Sequence, residues 1–235
     1  MEAAEFEISR DELFCLAALY GLDSLVNIPY EEDDYEGDLE EMFKQIMEKL
    51  RNKNWLDEDF DGKMTVDPTI ELAVMLCALP QRIWRIQIQS KKDVLSELAM
   101  DVYRGGENLL LLNHVDGKVF RVTLTQNQQD LISILDERMS LSQNEHAYQE
   151  IQTDSLTEII NTQPYTLLSI SQYTVEAEEE EKILVCHDAA MILALEQSGN
   201  YLLNVEDSNK GLFKPVSAEE CQKSIRSVIK EVEAE

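Results

Sequence analysis

The chain predicts an α+β fold: a quasi-two-fold arrangement of two sheet-plus-helix halves, preceded by a helical portion that resembles a winged helix in outline. Three observations carry that prediction. Helical periodicity dominates the first eighty residues, strict alternation starts at Arg82, and each half runs strands first and ends in a helix. At 235 residues, with 44% hydrophobic residues, the chain is long enough for one large domain or two small ones with a real core.

The first helix starts where Ser9 and Glu12 form a capping-box pair, and it presents Leu13, Phe14, Leu16 and Ala17 before Gly21 ends it. The acidic run Glu31–Asp38 then reads as a solvated loop or a docking strip. Phe43, Ile46, Met47 and Leu50 form the stripe of a second helix over Leu39–Asn52. Asp61-Gly62 turns the chain into a short extended segment over Lys63–Val66. Asp67 caps a third helix with Pro68 at its first position, and that helix stops by Pro80.

Arg82–Gln89 alternates and predicts a strand. Val94–Tyr103 is consistent with strand or helix. Asn108–Asn113 and Lys118–Thr125 predict a hairpin turning near Asp116-Gly117, followed by a helix over Gln126–Met139. These elements make an N-terminal half over 1–139 (helices within 10–79, then sheet and helix over 82–139). A polar connecting region covers 140–160, with a short helix expected over Asp154–Ile160, and the C-terminal half covers 161–235. In that half Tyr165–Val175 reads as a strand, and Lys182–Gln197 as a strand leading into a helix or as one helix. Tyr201–Glu206 and Leu212–Pro215 extend again, with a turn between them near Asn209–Gly211, and Ser217 with Glu220 caps a last helix.

Charge narrows the function. Asp and Glu number 47 against 20 Lys and Arg, a formal net charge of -27. Such a surface repels phosphate backbones and anionic lipid, so neither nucleic acid nor membrane is an expected partner. The winged-helix outline does not rescue DNA binding, because Asp57, Glu58, Asp59 and Asp61 lie where a wing needs Lys or Arg and the third helix has no basic residue. No basic segment followed by an apolar stretch opens the chain and no apolar run approaches the ~20 residues of a membrane span, which predicts a cytoplasmic protein.

Chemistry-bearing residues are scattered. Cys15, Cys77, Cys186 and Cys221 do not join His114, His146 or His187 at any metal-ligand spacing, and they read as free thiols in core or interface positions. Asp57–Gly62 opens like a calcium loop, with carboxylates at positions one, three and five and glycine at six. Position twelve is Pro68, however, so an acidic hairpin turn is the better reading. Arg104-Gly105-Gly106 lacks the Gly-Lys-Ser/Thr of a phosphate loop. No catalytic set, metal site or cofactor site is predicted. Binding residues are the better prospect: Trp84, Ile86 and Tyr165 for apolar contact, and Asp34 and Glu36 for steering a basic partner.

Several stretches in order resemble the EspG-type chaperones associated with type VII (ESX) secretion. These are Leu13–Leu22 with Pro29, Met47–Leu56, Asp61-Gly62 before Val66–Pro68, the helix ending Leu79-Pro80, Gly199–Tyr201, and Leu212–Val216 before a terminal helix. The resemblance implies a quasi-two-fold α/β fold and a cytoplasmic, non-enzymatic chaperone or adaptor that keeps a small helical secretion substrate soluble. The alternative from charge alone is an acidic inhibitor or immunity-type protein that binds a basic enzyme or toxin.

Overall fold

Local signals set most element boundaries in the computed structural model, which describes residues 3–29, 39–91, 95–116, 118–139, 141–142, 150–178, 181–204 and 212–229. The Ser9 hydroxyl accepts from the Glu12 N–H (3.2 Å), and the Glu12 carboxylate accepts from the Ser9 N–H (2.8 Å). This box starts α1 (Arg10–Leu19). Asp67 accepts from Thr69 and Ile70 and starts α3 (Pro68–Ala78), with Pro68 where no N–H is needed. Between them lie α2 (Leu39–Asn52) and the short antiparallel pair β2 (Leu56–Glu58) and β3 (Met64–Val66). The result is a mixed α+β architecture with large sheets and helices.

The chain forms two compact units that interleave in sequence: residues 1–81 with 103–126, and residues 82–102 with 127–235. The reason is strand pairing: β4 (Arg82–Lys91) runs antiparallel to β9 (Tyr165–Glu178), from Arg82 opposite Thr174 to Lys91 opposite Tyr165. Residues assigned to the N-terminal half are thereby tied to the C-terminal one.

In the first unit the strands follow the order β1-β7-β6, with β1 (Ala4–Ser9), β6 (Asn108–His114) and β7 (Val119–Thr125) all antiparallel. β1 was not among the expected strands. Its Glu5 and Glu7 alternate outward with Phe6 and Ile8, which lie opposite Val122 and Phe120. The interior is built from Leu13, Leu16, Leu50, Val74, Leu110 and Phe120. Tyr103 donates its hydroxyl to the Val26 carbonyl (3.0 Å) there, so its polar end is satisfied in the core.

The second unit orders its strands β5-β4-β9-β10-β11-β12-β8, with β5 (Leu95–Gly105, of which the residues up to Val102 belong to this unit), β8 (Ile151–Gln152), β10 (Glu181–Leu195), β11 (Gly199–Asn204) and β12 (Leu212–Val216). β10 corrects both expectations for Lys182–Gln197, a strand leading into a helix or one helix. Leu, Ala and Met in this stretch favour a helix, but it pairs with β9 along its length and with β11 from Ala190 to Leu195, so tertiary pairing overrides propensity. The helices are α4 (Gln128–Arg138), α5 (Leu156–Thr162) and α6 (Ala218–Ile229). The expected turn near Asn209–Gly211 lies outside the described residues.

Candidate functional site

The strands of the second unit present two unlike faces. On β4, Trp84, Ile86 and Ile88 point one way. Their partners on β9 are Gln172, Ile170 and Leu168, and the row continues to Ile192 on β10. All of these are buried, Trp84 and Ile170 completely. The indole N–H of Trp84 donates to the Val228 carbonyl on α6 (2.9 Å), which pins the helix to this face.

Arg85, Gln87 and Gln89 point the opposite way, beside Ser171, Ser169 and Leu167 on β9 and Ala189, Met191 and Leu193 on β10. Except for Leu193, these side chains stay exposed or half-buried. Gln87, Gln89, Leu167, Ser169 and Met191 of this face, with Glu97 of β5, line a cleft of about 330 Å³. Its apolar end is firm: Leu167 and Met191 pack against the buried cluster of Tyr165, Leu193, Leu195, Tyr201 and Phe213, with Leu156, Ile159 and Ile160 of α5 against the same cluster.

Polar groups in the cleft are held in order. The Tyr165 hydroxyl donates to Gln89 Oε1 (3.0 Å), and Gln89 Nε2 donates to Glu97 Oε1 (2.8 Å). Burial first, then the charge of Glu97, raise the Tyr165 hydroxyl above its ordinary 10, so it stays a donor at neutral pH. Arg85 Nε lies 3.7 Å from Asp101 Oδ1, and its guanidinium sits 5.8 Å from the centre of the Tyr173 ring. The cleft therefore offers amide donors and acceptors, a hydroxyl, a thioether and an aliphatic floor. That mixture suits a protein surface with both apolar and polar groups.

The expected contact residues fall differently. Trp84 and Ile86 are corrected to core positions, because their parity on β4 turns them under α6. Tyr165 is also buried, at 5% exposure, with its hydroxyl bonded to Gln89. Asp34 and Glu36 lie outside the described residues. Arg85, Gln87 and Gln89, which the alternation of β4 puts on the face opposite Trp84 and Ile86, were not among the expected residues.

The other motifs resolve into local structure. Asp59 Oδ1 accepts from the N–H groups of Asp61 (3.0 Å) and Lys63 (2.8 Å), so this carboxylate caps the β2–β3 turn. Cys186, expected in a core or interface, is exposed where β10 shifts register against β9. His187 instead meets Thr174 Oγ1 at 2.6 Å. Cys15, Cys77 and Cys221 are buried thiols. Burial raises the Cys15 thiol to about 11 and the Cys221 thiol to about 12, each helped by a neighbouring glutamate, so both stay protonated and inert. Among the described residues, no group of three or more His, Cys, Asp or Glu side chains is placed to hold a metal ion, and no helix is long and apolar enough to cross a membrane.

No family model and no curated protein sequence matches the chain. Among solved structures, it is similar to a chain in the structure of the Mycobacterium tuberculosis type VII secretion system chaperone EspG5 in complex with a PE25-PPE41 dimer. The two are 10% identical, the match covers 96% of each chain, and the TM-score is 0.59. At this identity the similarity concerns the fold.

Proposed function

We propose that this chain is a non-enzymatic, protein-binding chaperone or adaptor of the cytoplasm that holds a small helical secretion substrate on the cleft-bearing face of its second unit. The observation that carries the reading is that face: a sheet buried under a helix on one side, with half-exposed Met191, Leu167, Ser169 and Gln87 on the other. A fold similar to that of a secretion chaperone along 96% of both chains supports it. The quasi-two-fold relation between halves and the winged-helix character of residues 10–79 belong to the same reading. The strong negative charge sets the orientation of an incoming partner and suppresses wrong ones.

The test is purification of the tagged full chain from its native host, with stoichiometric partners identified by mass spectrometry. The same purification is repeated for Ser169→Arg and Met191→Asp, with circular dichroism to verify the fold. Small helical proteins are expected with the unaltered chain and are expected to weaken about tenfold or more with either variant. Recovery of a basic enzyme whose activity the chain suppresses would overturn this reading in favour of an inhibitor. Partners retained by both variants would overturn the assigned face.

A further inference from the structure

The first unit carries a second feature that the sheet face does not use. α1 presents Asp11, Phe14, Cys15 and Ala18, spaced by three and four, to a trough of about 400 Å³. α2 supplies Met42, Phe43 and Ile46 from the other side. Leu22 and Asp23 close one end. The volume lies within the ~300–1,000 Å³ of ordinary ligand and side-chain pockets. From Asp11 to Ala18 the trough runs about 10 Å along α1, the length of about two turns of a docking helix. Phe43 leaves 36% of its surface exposed, and Met42 and Phe14 are half-buried, so the apolar lining is accessible. Among the described residues, the charged groups lining the trough are two carboxylates, Asp11 and Asp23, exposed on its rim.

We infer that the α1–α2 trough is a docking site for a basic amphipathic helix, which lays leucine-like anchors against Phe14, Met42 and Phe43 and sets lysine or arginine beside Asp11 and Asp23. The apolar stripes of two neighbouring helices form a channel that a third helix fills with residues at i, i+3, i+4 and i+7. A flexible methionine and a half-exposed phenylalanine adapt to varied anchors. Neutral Cys15 at the floor adds no charge to the apolar channel. The carboxylate pair selects a cationic helix over an acidic one, since like charge across an interface is strongly disfavoured.

Fluorescence anisotropy of the full chain tests this with a labelled Lys/Leu peptide of about 14 residues, about four turns, carrying leucine at i, i+3, i+4 and i+7. A Lys/Ser peptide of equal charge and a Glu/Leu peptide serve as controls, in about 0.15 M salt to screen diffuse attraction. The Lys/Leu peptide is expected to bind saturably, and both controls about tenfold or more weaker. Phe43→Ala is expected to weaken binding about tenfold. The double variant Asp11→Asn/Asp23→Asn is expected to weaken it about threefold to fivefold. Removing the same charge from α4, with Asp136→Asn/Glu137→Gln, is expected to leave affinity unchanged. Circular dichroism checks each fold, and the charge variants keep the test decisive if Phe43→Ala unfolds. Absence of Lys/Leu binding, equal binding of Lys/Ser, or equal weakening by the α4 double variant would each overturn the assignment.

Discussion

Two faces of the same three strands, β4, β9 and β10, have opposite lives. One carries Trp84, Ile86, Ile170 and Ile192 and is sealed by α6. The other carries Arg85, Gln87, Ser169 and Met191 and stays half-open. The most hydrophobic stripe of a sheet is consumed by the fold itself; what remains for a partner is the stripe where polar and apolar side chains interleave. The contrast breaks most clearly at two nearby residues of β4. Trp84→Ala removes a fully buried indole and its hydrogen bond to Val228, with an expected loss of about 3–5 kcal/mol. Gln87→Ala, three positions further along and on the opposite face, is expected to change stability by no more than about 0.5 kcal/mol. Urea denaturation of the full chain measures both, and comparable losses would mean that the two faces are not distinct.

Much of this was legible in the sequence because local chemistry decided it. The Ser9–Glu12 and Ser217–Glu220 boxes, Asp67 with Pro68, and the alternation from Arg82 each fix an element through neighbours within a few residues. Long-range pairing was not legible. Residues 182–195 became strand because β9 and β11 flank them, and the compact units interleave because β4 pairs with a strand about eighty residues later. The candidate site was half legible. Alternation separated Trp84 from Gln87, but which parity meets solvent depends on where α6 lands, and no local signal encodes that. The trough between α1 and α2 follows the same logic: the stripes were readable in each helix, their juxtaposition was not.

A subtler probe uses the residue that does not fit its face. Gln172 lies opposite Trp84, is 4% exposed, and its Nε2 has no hydrogen-bond partner among the described residues. A buried amide donor left unpaired costs about 1–3 kcal/mol. Gln172→Met keeps length and volume while removing that donor, and is expected to raise the urea stability by about 1 kcal/mol. A loss instead would show that this amide is satisfied and that the sealed face depends on a polar contact as well as on packing.

The smallest expected effect concerns what holds α6 over the sealed face. Its start is a capping box in which the Glu220 carboxylate accepts from the Ser217 N–H (2.7 Å) and hydroxyl (3.0 Å), while the Glu220 N–H donates back to Ser217 Oγ (3.2 Å). The backbone bond from Ser217, then its hydroxyl, and then the charge of Lys223 hold the Glu220 carboxyl below its ordinary 4.5. A carboxyl depressed in the folded state stabilises it fully at pH values above 4.5, and that contribution disappears as pH falls through the lowered folded value. Glu220→Gln is therefore expected to lower the urea midpoint at pH 7 and to converge on the unaltered chain once pH falls below the lowered folded value. A gap that stays constant from neutral to acid pH would assign the effect to side-chain shape rather than to the charge of the Glu220 carboxylate.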